Sequence, residues 1–183
     1  MQTSAKQKYC AMVLLILCFL TGAVYCVRTK AHYRDINTLC IAAARNDLKT
    51  VKKCLEYGVE INGYKQWARK SNDIYTPLTA AIASAGSPEM VNYLIQMGAD
   101  VNQKSCKTYY CSENPPAYYA AQRGDLKIIE YLAGAGANFF HIETNFYLHG
   151  ESPPRNLPRV AQDCGHHSAA ELIEKIMGRY QKK

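Results

Sequence analysis

The stretch TPLTAAIASAGSPEMVNYLIQMGADVN, from Thr76 to Asn102, contains two short helical patterns in succession. Threonine supplies a capping oxygen and proline loses no hydrogen bond in a first helical turn, so Thr76-Pro77 predicts a helix start. Apolar residues recur three and four positions apart on both sides of a Gly-Ser-Pro break at 86–88, which predicts two amphipathic helices. Gly98 follows where a helix end favours a left-handed residue. Neither helix can bury its apolar face alone, so the unit needs neighbours.

Copies of this pattern occur on both sides of the stretch. The glycines that follow the second helix are Gly58, Gly98 and Gly136, so consecutive copies lie 40 and 38 residues apart. The first copy has Asn46 in place of a glycine between its helices, and a fourth, degenerate copy finishes at Gly178. End units depart from a repeat pattern because one of their sides faces solvent. The spacing therefore predicts a domain of four stacked repeats.

Three motifs in these copies resemble the ankyrin repeat family, whose unit is a turn followed by two antiparallel helices with a T-P-L-H-x-A core. TPLTAA at 76–81 matches that core with threonine in place of histidine, GDL at 124–126 matches the turn between helices, and GADVN at 98–102 matches the final turn. The resemblance covers about Asp35 to Met177. It implies an all-α fold, an ankyrin-repeat solenoid of helix-turn-helix units with extended hairpin loops.

Insertions lengthen these units beyond the roughly 33 residues of the family's repeat. Most of the excess follows the repeat-ending glycines, where the family's hairpins project. We call these segments the first, second and third fingers: Gly63–Tyr75, Gln103–Pro115 and His141–Asn156. Insertions at loop tips leave the stacked helices undisturbed, so the fingers are free to carry binding specificity.

The fingers and the concave face contain the residues that we predict to bind a partner. Trp, Tyr and Arg dominate binding hot spots, because they bury a large area and keep a polar group. The predicted finger contacts are Tyr64, Trp67, Arg69, Lys70, Tyr109 and Tyr110. The predicted concave contacts, at positions that the family exposes on its inner helices, are Arg45, Ser84, Gln122 and Arg123. Aromatic and basic fingers fit an acidic protein surface.

Packing is the competing interpretation of the aromatic residues. Trp67 fits packing of the first finger against the helices as well as it fits binding, whereas Tyr118 and Tyr119 lie on an inner helix and favour packing. The net charge of +7 is spread along the chain without a Lys/Arg run, which is weak evidence for nucleic-acid binding. We expect a protein partner, a monomer and no nucleic-acid partner.

The N-terminal segment Tyr9–Val27 contains no charged residue over 19 positions, close to the roughly 20 that span a bilayer as a helix. Tyr9 and Tyr25 near its ends favour an anchor with interfacial aromatic residues. The same segment fits a secretory signal peptide cleaved after Ala23. Each flank carries three positive groups, so the positive-inside rule gives no orientation. The predicted order is a polar basic start at 1–8, an apolar helix at 9–27, a linker at 28–34, the repeat domain at 35–178 and a basic tail at 179–183.

Eight cysteines occur without a C-x-x-C spacing, so common zinc and redox motifs are absent from the sequence. Cys106 and Cys111 would close a short disulfide loop if the domain faces an oxidising compartment, and two free thiols are the alternative. Cys164-Gly-His-His at 164–167 invites a metal or nucleophile interpretation, but it falls in the turn between the last two helices. We expect no catalytic residue, no metal and no cofactor.

These features together favour a membrane-tethered ankyrin-repeat scaffold or adaptor that binds protein and has no catalysis of its own. A single-pass membrane location follows from the anchor. The first alternative is a signal-cleaved, secreted or periplasmic accessory protein that assists or protects an enzyme. The second alternative is a hydrolase or metal site near Cys164 to His167.

Overall fold

The computed structural model describes residues 35–66, 74–84, 86–107, 112–140, 142–143 and 155–181. Helices in these ranges form four consecutive pairs: α1 (Ile36–Ala44) and α2 (Leu48–Glu56), α3 (Pro77–Ala83) and α4 (Pro88–Gln96), α5 (Pro116–Arg123) and α6 (Leu126–Gly134), α7 (Leu157–Asp163) and α8 (His167–Tyr180). The first helices of the pairs, α1, α3, α5 and α7, pack in a row as the inner layer. The second helices α4, α6 and α8 pack in the outer layer. The predicted helix-turn-helix solenoid is confirmed.

The core lies between the two helix layers and follows the predicted apolar stripes. Leu78 and Ile82 of α3 are fully buried, as are Val91 and Leu94 of α4. Small residues such as Ala81 alternate with them, which lets neighbouring helices approach closely. Burying aliphatic side chains of this size stabilises the fold by about 1.5–3 kcal/mol each.

The roots of the three fingers are short antiparallel hairpins. Their strands are β1 (Lys65–Gln66) and β2 (Ile74–Tyr75), β3 (Ser105–Lys107) and β4 (Ser112–Asn114), and β5 (Ile142–Glu143) and β6 (Arg155–Asn156). Ile74 of β2 also pairs with Cys106 of β3, so the first two hairpins form one four-stranded sheet in the order β1-β2-β3-β4. The third hairpin forms a separate two-stranded sheet. The finger tips at 67–73, 108–111 and 144–154 lie outside the described residues.

Thr76 caps α3 as predicted, and Thr79 completes the cap. The Thr79 backbone N–H donates to the Thr76 hydroxyl at 3.2 Å, and the Thr76 N–H donates to the Thr79 hydroxyl at 2.8 Å. This reciprocal arrangement satisfies two donors at the helix start. The Thr79 and Ser105 hydroxyl oxygens are 2.6 Å apart, and both side chains are fully buried. The threonine that replaces the family's histidine therefore joins α3 to the second hairpin.

Left-handed residues end and connect the helices where the pattern predicts them. Gly98 has φ 92°, and Gly58 and Gly136 have φ 80° and 83°. A side chain in this region meets the following carbonyl oxygen, which is why glycine is favoured there. Asn46, which replaces a glycine between α1 and α2, also has a positive φ of 59°. Asparagine tolerates this conformation better than most residues, so the first repeat keeps the turn without glycine.

The last helix is longer than the sequence pattern suggests. Helix α8 continues through Gly178 as far as Tyr180, whereas the pattern places the end of the fourth repeat at Gly178. The Tyr180 hydroxyl donates to the Ala133 carbonyl at 3.4 Å, and its ring meets Phe140 edge-on at 6.5 Å. These contacts join the two-residue extension of α8 beyond Gly178 to the preceding repeat.

None of the helices in the described part of the chain has the length and apolar character needed to cross a bilayer. The predicted span Tyr9–Val27 lies outside the described residues, together with the segments at 1–8 and 28–34. The anchor and the signal peptide therefore stay predictions.

Candidate functional site

Asparagine side chains hold the roots of consecutive fingers in register. Asn62 accepts a hydrogen bond from the Asp100 N–H at 2.8 Å and donates to the Gly98 carbonyl at 3.2 Å. Asn102 repeats the arrangement one unit later, with the Asn138 N–H at 2.7 Å and the Gly136 carbonyl at 3.3 Å. Each asparagine thus joins one repeat to the next at the base of its finger.

The described parts of the first two fingers place only some of the predicted contacts. Tyr64, just before β1, is 52% exposed. In the second finger, the Lys104 ammonium lies 3.7 Å from the Glu113 carboxylate across the hairpin stem. Other predicted finger contacts lie outside the described residues, namely Trp67, Arg69, Lys70, Tyr109 and Tyr110. The roots of both fingers nevertheless belong to one sheet, because β2 pairs with β3.

Three of the predicted concave contacts lie in a row at one end of the inner helices. Arg45 and Ser84 cap the C-termini of α1 and α3, Gln122 is near the end of α5, and all three are exposed. The three fingers lead into the opposite, N-terminal ends of the inner helices α3, α5 and α7. Helices of seven to nine residues span about 10–13 Å. The structure therefore brings these three residues together but separates them from the fingers by the length of an inner helix.

A family model described as Ankyrin repeats (3 copies) matches this chain at residues 2–105 and 39–145. The chain belongs to the ankyrin repeat family. No curated protein matches it. Members of this family are generally interaction scaffolds without catalysis, so a protein-binding role is the functional class that this membership supports.

Arg123 is not the exposed concave residue that the ankyrin resemblance predicts. Its guanidinium donates to the Gly86 carbonyl at 2.7 Å and to the Ile82 carbonyl at 3.4 Å, both in the preceding ankyrin repeat. A second guanidinium nitrogen lies 3.5 Å from the Asp125 carboxylate, and the side chain is 25% exposed. Arg123 therefore joins the second and third repeats. Its part in partner binding is untested.

The prediction that Tyr118 and Tyr119 pack inside the ankyrin domain is confirmed. Both are buried on α5, and their rings meet edge-on at 5.5 Å. Tyr75 from the end of the first finger reaches the Tyr119 ring at 5.9 Å. Aromatic pairs at these distances stabilise a core beyond the area that they bury. The Tyr75–Tyr119 contact joins the end of the first finger to α5.

The Cys-Gly-His part of the Cys-Gly-His-His sequence lies in the turn between α7 and α8, as predicted, and His167 is the first residue of α8. Cys164 caps α7, and His166 immediately precedes α8. A Cβ atom on Gly124 would clash with the His166 ring, so this histidine packs closely against the turn of the third repeat. The described residues include no group of three or more His, Cys, Asp or Glu side chains that could hold a metal ion. The contacts of His166 are those of a repeat interface.

Two further cysteines lie in the core and two belong to the second finger, whereas Cys10, Cys18 and Cys26 lie outside the described residues. Cys40 and Cys54 are buried between helices, where the Cys40 thiol donates to the Tyr75 carbonyl at 3.9 Å and burial raises the pKa of the Cys54 thiol. Cys106 lies in β3 opposite Glu113, while Cys111 is outside the described residues. The Cys106–Cys111 disulfide stays a prediction.

The role of Asn62, Asn102 and Arg123 in connecting the repeats was not predicted from the sequence. Asn62 and Asn102 read as ordinary turn residues, although each lies four positions after its repeat-ending glycine. That constant offset was the available signal. Arg123 offers no comparable signal, because its acceptors are backbone carbonyls of another repeat.

Proposed function

We propose that this chain is a membrane-tethered ankyrin-repeat module that binds an acidic protein partner through its first two fingers, without catalysis of its own. The observation that carries the proposal is the pairing of Ile74 with Cys106, which joins the roots of both fingers in one sheet. In this proposal, the aromatic and basic residues of both tips contact the same partner, because the roots of both fingers belong to one sheet. Scaffold or adaptor proteins need such a rigid base under variable loops.

The composition of the finger tips supports a protein partner. Trp67 and Arg69 occur in the first tip, and Tyr109 and Tyr110 occur in the second. These are the residue types that dominate binding hot spots. A partner that also reaches the row formed by Arg45, Ser84 and Gln122 must extend along the inner helices. The concave row therefore belongs to the edge of the proposed interface, and the finger tips form its centre.

The distribution of charge supports the tether. The described residues contain 13 Lys or Arg and 13 Asp or Glu, so the helical repeats with their finger roots are neutral. The excess of positive charge lies elsewhere, and residues 1–34 alone contain five Lys or Arg and no acidic residue. Basic groups on both sides of an uncharged segment are attracted to anionic lipid headgroups. We propose that Tyr9–Val27 is a single-pass anchor.

Loss of binding tests the finger interface. The full-length chain and its W67A/R69A/Y109A/Y110A variant are expressed in native cells and crosslinked, and the crosslinked partners are identified by mass spectrometry. We expect the variant to lose the partner, because truncating hot-spot residues typically costs 2 kcal/mol or more for each residue, about thirtyfold in affinity. The matched control is Y57A/Y131A/K49A/K127A, which removes two tyrosines and two lysines from exposed positions of the outer helices. A partner retained by the finger variant, or lost equally by the control, would refute the interface.

Intact mass and alkaline extraction test the tether separately. An anchored chain keeps all 183 residues and stays in the membrane pellet at high pH. A chain cleaved after Ala23 loses its N-terminal segment and is released, which would support the exported accessory protein instead. This result would leave the finger interface intact, so the two parts of the proposal fail independently.

A further inference from the structure

The outer helix of the third repeat ends in unusually small residues. The three positions before the repeat-ending glycine are Leu-Glu-Tyr at 55–57 and Ile-Gln-Met at 95–97, but Ala-Gly-Ala at 133–135. The long helix α8 packs against α6, and Tyr180 of α8 contacts Ala133 in this small-residue end. A groove of about 510 Å³ lies between the two helices. We call it the α6–α8 groove.

The α6–α8 groove combines an apolar floor with a basic rim. Ala133, Leu172 and Ile176 contribute the apolar surface. Lys175 and Arg179 lie one helical turn apart on α8, line the groove and are exposed. Neither has an ion pair or hydrogen bond within the described part of the chain. Glu130 is the acidic residue of the lining, so two positive groups face one negative group.

Gly134 keeps the groove open at the expense of helix stability. It belongs to α6 and does not have a left-handed φ, and a Cβ atom added to it would meet nothing within 4 Å. Neither the backbone nor close packing therefore requires glycine, which is less favourable than alanine in a helix. Tyr180 lines the same groove, and its exposed ring meets the exposed ring of Phe140 edge-on.

We propose that the α6–α8 groove binds an acidic peptide segment of a partner protein. An aliphatic or aromatic side chain of the segment would occupy the apolar floor, and its carboxylates would pair with Lys175 and Arg179. The choice of an acidic occupant rests on charge complementarity with this rim. The volume falls within the roughly 300–1,000 Å³ of sites that enclose small ligands. This surface lies on the outer helices and is independent of the finger interface.

Selection from a phage-displayed library of random 12-residue peptides tests the proposal on the full-length chain. We expect enrichment of peptides that combine Asp or Glu with at least one large apolar residue. Binding of the selected peptides should fall at least tenfold in K175E/R179E, which reverses the rim, and in G134L, which fills the groove. The matched control K49E/K127E makes the same change in charge at exposed lysines of α2 and α6, and it should bind normally.

Circular dichroism and the thermal midpoint establish that each variant is folded, and G134L should be at least as stable as the parent because its helix gains a side chain. Three outcomes would overturn the proposal: no enriched peptide, enriched peptides without acidic residues, or binding that K175E/R179E and G134L leave unchanged. Sedimentation velocity tests another occupant. A dimer that the same two variants dissociate would assign the groove to a second copy of the chain and refute the acidic partner.

Discussion

Replacing Thr79 by valine tests whether its buried hydroxyl links helix α3 to the second finger. Valine keeps the shape and the β-branch, so the substitution removes the hydroxyl with little change in packing. The Thr76 N–H loses its acceptor, and the Ser105 hydroxyl loses its hydrogen-bond partner. Both residues are at least 98% buried. Leaving a buried polar group unsatisfied costs about 1–3 kcal/mol. We therefore expect T79V to lower the free energy of unfolding by about 2–4 kcal/mol.

Urea unfolding followed by helical circular dichroism measures this loss, and a double-mutant cycle assigns it. S105A alone removes one partner, and T79V/S105A removes both, so the double variant should be more stable than the sum of the single losses predicts. We expect a coupling energy of about 1 kcal/mol, typical of residues in one hydrogen-bond network. A T79V loss below about 0.5 kcal/mol, or additive losses, would refute the reasoning, because either result means that the hydroxyls do not act together.

Three further predictions concern single side chains of the repeats. R123A should destabilise the chain by about 1–2 kcal/mol in urea unfolding, since it removes the partly buried, charge-assisted bond to the Gly86 carbonyl; unchanged stability would contradict a role between repeats. G98A should lower the free energy of unfolding by about 1 kcal/mol or more, because Gly98 has a positive φ. G134A should raise it by about 0.5–1 kcal/mol, because Gly134 is helical and has room for a Cβ atom. Equal effects of the two substitutions would contradict the assigned conformations. D47A should cost about 1 kcal/mol at pH 7, because its carboxylate caps α2. Hydrogen bonds from the first turn of that helix lower the pKa of this carboxyl, so the stabilisation is complete above its unfolded pKa and is lost as the pH falls through its lower folded pKa. A cost that does not shrink in acid would contradict this assignment.

The helix pairs could be predicted from the sequence because their signals are local. A cap such as Thr76, a left-handed residue such as Gly98 and an apolar stripe each depend on residues within one or two helical turns. The positions of the fingers could also be predicted, because inserted residues must leave a stack of helices at its connections. Even the positive φ of Asn46 follows from its place in the repeat.

Residues far apart in sequence determine what the fingers and the groove can do. The joining of the first two fingers depends on the pairing of Ile74 with Cys106, which lie 32 residues apart on either side of the second repeat. The sequence contains the small residues at 133–135, but the packing of α8 decides that they border a groove. Neither the four-stranded sheet nor the α6–α8 groove produces a repeating pattern of residue types within one segment, so neither could be predicted from the sequence.

The amino-acid sequence by itself determined the ankyrin repeats, their turns and the neutral scaffold between basic ends. Tertiary structure alone decided which polar side chains are exposed and which join the repeats. Arg123 illustrates the difference: as a basic residue near the end of an inner helix it fits the exposed concave face, yet its guanidinium reaches the Gly86 carbonyl at 2.7 Å. The physical reason is that a hydrogen bond between repeats depends on how two helix pairs pack, whereas a helix, a cap or a turn is determined by neighbours along the chain.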